Sequence, residues 1–502
     1  MLLAGLGSTL ASELGLTRLE AFEADSTRRL DFGKLEPLVS LMQETSPDKL
    51  TPQLIEKLQS GTSLKRLVAA GALSNARTFG GQDYVGFHTF MALAPAFRMA
   101  QQLPGEQKPL PVLKVLHRNA TRIQKFGGRD SEILHQLSHD DVPQETVTGE
   151  YLRKMSRTGN LDKADRAFCA LSDAPIGEAF NHLQFAVEDE INVHRVVLAW
   201  RGWDTREIAG EHWGHTMLRQ SIRFCANSEK NMIERDRTPS AIRTLLPKLL
   251  DEHKLPGRSL GDKAGDDTWL RELAETMFRG TREQAAQAVA LALADGWSVE
   301  SIGEAMSLAA NMLVLHDPGR PEKWTSPGKP AGSCHGDSVG VHASDAANAW
   351  RNIARVSNQR NTVASLIVGA FHTAGQSDRS NKEPYPFAEH LERVKATDPD
   401  SLIEEADAAI RNKDQFHAAA AVARYGQLDH NPRAVFDLLL KYGTSQDGAL
   451  HAEKYYQTVS EEFSTIRPQF RWGQLVALAR VTASEYGYKS PGYEQAKELL
   501  KL

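Results

Sequence analysis

Residues Ala288–Ala310 read AVALALADGWSVESIGEAMSLAA. Two alanine-rich apolar runs flank Gly296-Trp297-Ser298, each with apolar residues three and four positions apart, the spacing of one helix face. Glycine suits the left-handed position that ends a helix, and serine suits the cap that starts the next. Gly61-Thr62-Ser63 repeats this joint and is followed by Leu64, Leu67 and Val68; Gly443-Thr444-Ser445 is a weaker third instance. Leu54–Leu58, Leu64–Ala76, Ala285–Ala294 and Ile302–Leu315 carry the same helical spacing, and alternating strand patterns between tight turns are scarce. The chain therefore reads as all-α, built from paired helices.

Beyond two of these joints stands the pattern Asp-x-Val-Gly-apolar-His, once as Asp83-Tyr84-Val85-Gly86-Phe87-His88 and once as Asp337-Ser338-Val339-Gly340-Val341-His342. A second histidine follows each: His117 lies 29 residues after His88, and His372 lies 30 residues after His342. Ser63 to His88 spans 25 residues and Ser298 to His342 spans 44. The excess of 19 matches one Pro- and Gly-rich stretch, Asp317–Gly336, which cannot continue a helix and reads as a loop gating a site. This predicts an internally duplicated helical-repeat architecture with pseudo-two-fold halves. Its parts are an apolar leader (1–29), a first repeat (30–140), a central helical region (141–279), a second repeat with an inserted loop (280–380, loop 317–336) and a C-terminal helical region (381–502).

The helix, Gly-x-Ser, helix unit of Ala288–Ala310, with Glu300 and Glu304 on its second helix, resembles the repeats of the carboxymuconolactone decarboxylase and alkylhydroperoxidase family. The peroxidase branch of that family carries Cys-x-x-Cys-x-x-x-His upstream of the glycine. Here those positions hold Thr281, Gln284 and Ala288. The resemblance implies a similar scaffold of about 25 residues per copy and carries over no peroxidase chemistry.

The chain has 502 residues, 41% hydrophobic and 25% charged, which fits a globular protein of several domains or one helical array. A net charge of -5 supplies no basic footprint for nucleic acid. No apolar run is long enough for a transmembrane span. Cys169, Cys225 and Cys334 form no CxxC and no disulfide framework. Met1–Ser12, MLLAGLGSTLAS, resembles the end of an export signal without its basic start. It predicts a periplasmic or otherwise exported protein, with a cytoplasmic location as the alternative.

Neutral imidazole is the commonest metal ligand, so His88, His342, His117 and His372 are candidate ligands. Asp83 and Asp337 are placed to orient them. Glu190 and His194, four apart on a helix expected over Phe180–Trp200, share a face and form a second candidate ligand pair. Trp200, Trp203, His212, Trp213 and His215 suit a pocket wall or a large helix contact. His135 and His139 have helical metal spacing without the glutamate of HExxH, and Cys334-His335 is a candidate nucleophile pair. No phosphate loop, dinucleotide fingerprint, haem-attachment motif or nucleophile elbow is present. The expected function is a metal-dependent enzyme, an oxidoreductase before a hydrolase, with iron, copper or zinc as cofactor and a small molecule as substrate. Its site would combine His88, His342 and His194. The alternative is a non-catalytic helical scaffold, or a ligand- or haem-binding protein, whose histidines are structural.

Overall fold

The computed structural model describes residues 29–137 and 142–502. Residues 1–28 of the proposed leader and His139 lie outside them. Among the described residues the protein is all-α, with 23 α-helices and no β-strand, only isolated bridges. No helix among these residues is long and apolar enough to cross a membrane.

The two Gly-x-Ser joints form as their chemistry dictates. Gly61 and Gly296 take positive φ of 97° and 82°, and the Ser63 and Ser298 hydroxyls accept from the amides of Arg66 and Ser301 at 3.3 and 3.2 Å. Each joint leads into three mutually packed helices. The first unit is α1 (Leu64–Phe79), α2 (Tyr84–Gln102) and α3 (Pro109–Phe126). A central helix follows, α4 (Val193–Ala209). The second unit is α5 (Val299–Leu315), α6 (Val339–Val356) and α7 (Gln359–Thr373). The C-terminal region adds α8 (Arg433–Ser445), α9 (Ala452–Thr465), α10 (Pro468–Glu485) and α11 (Pro491–Leu500). The units match in helix order and packing. α4 packs on α1, α2 and α6, and α9 packs on α2 and α6, so both helices bridge the two units.

Two local expectations change. Gly443-Thr444-Ser445 is not a joint: α8 runs through it and the chain leaves the helix only at Gln446. The helix expected over Phe180–Trp200 is broken, because the Asn192 side chain caps a new helix by accepting from the amides of His194 and Arg195 at 2.9 and 3.3 Å. The stretch 317–336 is tied to the helices of the C-terminal region by hydrogen bonds. Arg480 donates to the carbonyls of Val314 and Asp317, Gln415 donates to the Gly332 carbonyl, and the amides of Cys334 and Gly336 donate to Ser484 and Glu485.

The glycine of each hexapeptide lies in the first turn of a helix, where α2 leaves α1 and α6 meets the end of α5. A Cβ on Gly86 would lie 2.5 Å from the Phe79 ring, and a Cβ on Gly340 would lie 2.6 Å from the Val314 backbone nitrogen. The missing side chains let α2 and α6 close onto the preceding helices. Gly340→Ala is expected to cost about 1–3 kcal/mol of stability by overpacking, more than Gly86→Ala, because backbone yields less than a phenyl ring. Urea denaturation of the two variants checks this, and equal stability of Gly340→Ala and wild type would refute it.

Candidate active site

Four histidines meet where four helices begin. His88 is the fifth residue of α2, His194 the second of α4, His342 the fourth of α6, and His451 is the N-cap of α9. Their rings form a closed circuit: the centroids lie 4.7 Å apart for His88–His194, 5.8 Å for His194–His342, 5.2 Å for His342–His451 and 5.4 Å for His451–His88. The Nε2 atoms of His342 and His451 are 3.2 Å apart. Phe87 and Tyr84 stack against His88 and also touch His194. Tyr84 is 54% exposed and Val339 48%, so the cluster lies just below the surface, under the first residues of α2 and α6.

His88 Nδ1 is 2.7 Å from the Tyr84 carbonyl oxygen. A carbonyl only accepts, so this bond requires the proton on Nδ1 and leaves Nε2 with a bare lone pair. His88 is fully buried and its Nε2 has no hydrogen-bond partner; the buried Nε2 of His194 has none either. Burial, reinforced by nearby Lys454, pushes the proton affinity of His88 far below the ordinary histidine range, that of His194 down to about 3 and that of His342 down to about 4. The positive ends of four helices act in the same direction, since each disfavours a cation. These three imidazoles are neutral at physiological pH. Lys454, one turn beyond His451, is itself pushed down to about 8 by burial, with Asp345 opposing.

His451 and its turn are held from the first unit. Lys114 on α3 donates to the carbonyls of Gly443 and Gln446 at 2.8 and 2.6 Å and pairs with Glu453 at 2.8 Å. Arg118 donates to the Asp447 carboxylate at 2.8 Å. Burial raises the Glu453 carboxyl, but Lys114 and Arg118 outweigh it and hold it ionised.

The other expected site residues lie elsewhere. His117 faces Asp48 at 4.0 Å, and His372 accepts from the Trp350 indole at 3.3 Å inside the second unit. Glu190 falls in the break before α4, where it accepts from the Ser240 amide and Arg243. Asp83 caps α2 by accepting from the Gly86 amide and pairs with Arg122. Asp337 is one residue outside α6, whose cap is Ser338, and pairs with Arg320 and Lys329. Neither aspartate hydrogen-bonds a ring of the cluster, and it is the Tyr84 carbonyl that orients His88. The aromatic group around α4 is helix-packing material: Trp203 meets Phe180 and Arg206, Trp213 meets Phe32, and His215 stacks on Phe168. Cys334 is fully buried, and burial pushes its thiol up to about 12, away from the thiolate a nucleophile needs. Sequence reasoning missed His451 and Lys454. The only local signal was Gly448 three residues before a histidine that opens an apolar-periodic helix.

Among the described residues no three His, Cys, Asp or Glu side chains are spaced as a metal-coordination set. The fit to a transition metal is one of donor chemistry: neutral imidazoles, two of them with buried Nε2 atoms lacking any partner. Beside the site the inserted loop lines a cleft of ≈ 310 Å³ with Arg320, Trp324, His335, Asp337 and Val339. No family model, curated protein or solved structure matches the chain.

Two outcomes follow from these buried groups. The folded pKa values of His194, His342 and His372 lie at about 3, 4 and 3, below the unfolded value of ~6.5, so their stability contribution is full above pH ~6.5 and drains as pH falls toward those values. Each is expected to cost about 2 kcal/mol between pH 7 and 5. Glu485, raised to about 8 by burial, works in the opposite sense and offsets roughly one histidine. Urea titrations should therefore show a steep loss of stability from pH 7 to 5, and a flat profile would contradict the neutral cluster. Lys114→Met should cost about 3–5 kcal/mol, because it strands the buried Glu453 carboxylate. The double variant with Glu453→Gln should recover part of that loss, and additive losses would show that the pair does not couple.

Proposed function

We propose that the four-imidazole cluster of His88, His194, His342 and His451 is the reaction centre of a transition-metal-dependent enzyme acting on a small molecule. The observation that carries this reading is the His88 tautomer. Its Nδ1–H is tied to the Tyr84 carbonyl and its Nε2 lone pair is buried without a partner, the arrangement in which a histidine serves as a metal ligand. Imidazole donors suit iron, copper or zinc. Iron or copper would supply electron transfer and zinc Lewis acidity. The carboxylates that act on the cluster, Asp337 on His342 and Asp345 on Lys454, are engaged by Arg320 and Lys329 and by the Thr458 hydroxyl, which favours an oxidoreductase over metal-assisted hydrolysis. Lys454, with its proton affinity near neutral pH, can deliver or take a proton at Nζ. Tyr84 and Val339 mark the entrance, and the stacked Phe87 and Tyr84 rings limit water around His88 and His194.

A second reading rests on Lys454 and the four helix starts. Together they add positive charge to the site, offset in part by Asp345 and Asp337, which favours an anionic substrate or one that becomes anionic on losing a proton. Here Lys454, whose proton affinity lies near neutral pH, acts as the base and no metal takes part.

Elemental analysis and a visible spectrum of protein purified without a histidine tag separate the two. The metal reading expects a stoichiometric transition metal that falls below a tenth in His88→Ala and in His194→Ala and stays full in His117→Ala and Glu190→Ala. Protein that holds no metal and takes up none on exposure to iron, copper or zinc ends the metal reading and leaves the acid–base one. Metal retained in full by both cluster variants would end the assignment to this site.

A further inference from the structure

A threonine in a helix ordinarily returns its hydroxyl to the carbonyl four residues back, as Thr121, Thr373 and Thr465 do here. Thr444, near the end of α8, does not. It is 3% exposed, and its Oγ1 has no hydrogen-bond partner. It lines a cleft of ≈ 780 Å³ between α8, α11 and the chain that leaves α2. Leu103, Leu110, Leu440 and Tyr493 make the apolar wall. Lys441, one turn from Thr444 on the same face of α8, and Lys497 on α11 supply positive charge. Lys441 pairs with Asp407, whereas Lys497 has no carboxylate within ion-pair distance among the described residues. Arg433, also on the rim, pairs with the cleft's one aspartate, Asp437. The volume is that of a small-molecule site, with one apolar region and one short polar end.

We propose that this cleft binds an acyl chain ending in a carboxylate. The chain lies along Leu103, Leu110, Leu440 and Tyr493, and the carboxylate accepts from the Thr444 hydroxyl and faces Lys497. The cleft is at the far end of α2 from the histidines: fourteen residues from His88 to Gln102 span about 21 Å of helix. It is thus a second site, independent of any metal at the first.

Isothermal titration of the full chain with sodium dodecanoate below its micelle concentration tests this. One saturable site is expected, with 1-dodecanol and acetate each at least ten-fold weaker. Lys497→Ala, an exposed position, should weaken dodecanoate at least five-fold and leave dodecanol unchanged. Thr444→Val should weaken dodecanoate without lowering the melting temperature, because the hydroxyl has no structural partner to lose. Leu103→Trp, at a half-buried position of the apolar wall, should abolish both ligands without lowering the melting temperature. Absence of saturable dodecanoate binding, or equal binding by wild type, Lys497→Ala and Leu103→Trp, would overturn the inference. So would sedimentation with anionic phospholipid vesicles in place of dodecanoate binding, which would assign the surface to a bilayer instead of a free acid.

Discussion

Two helix-to-helix approaches, each permitted by the absence of one side chain, set the geometry of the centre. Gly86 lets α2 close onto Phe79 at the end of α1, and Gly340 lets α6 close onto the Leu313–Val314 backbone at the end of α5. His88 and His342 follow those glycines by two residues, so the close approach fixes where both imidazoles emerge. α4 and α9 then cross between the two units and bring His194 and His451 to the same place. The hexapeptide is thus a packing device first, and its histidine inherits a position from the glycine.

The electrostatics follow from that placement. Histidines at helix starts face the positive ends of the backbone dipoles, and burial removes the water that would stabilise imidazolium. Both effects keep the rings neutral, which is the state needed for a ligand or a base. The nearby lysine adds to the pressure against protonation and loses much of its own proton affinity. Positive charge is instead concentrated in Lys114 and Arg118, which neutralise Glu453 and hold the turn that presents His451. One buried ion pair therefore belongs to the shape of the site without touching its rings.

The helical class was legible because alanine-rich runs with three- and four-residue spacing leave few other options, and Ser63 and Ser298 cap as their chemistry requires. The meeting of His88 and His342 was legible from their repeated place after a helix joint, whereas His194 was singled out through a four-residue pairing with Glu190 that the fold does not make. Glu190 was misplaced because the helical spacing of Phe180–Trp200 hides a cap: Asn192 competes for the amides of the next turn and breaks the helix between Glu190 and His194. His117 and His372 share a spacing but end different helices, and spacing along the chain cannot say which face of α3 or α7 turns inward. His451 occurs once, outside both units, so no repeat marked it. Asp83 and Asp337 occupy the same sequence position yet differ by one residue relative to the helix start. In one unit the aspartate caps the helix, and in the other the serine beside it does.

His88 is a neutral Nδ1–H imidazole whose Nε2 lone pair is buried without a partner beside the other rings of the cluster. Nitrogen-15 NMR of histidine-labelled protein, with His88 assigned by comparison with His88→Gln, reads the tautomer and its titration directly. A protonated Nδ1, an unprotonated Nε2 and no titration between pH 8 and 5.5 are expected. A His88 resonance that shows Nε2–H, or that titrates near pH 6.5, would contradict that state.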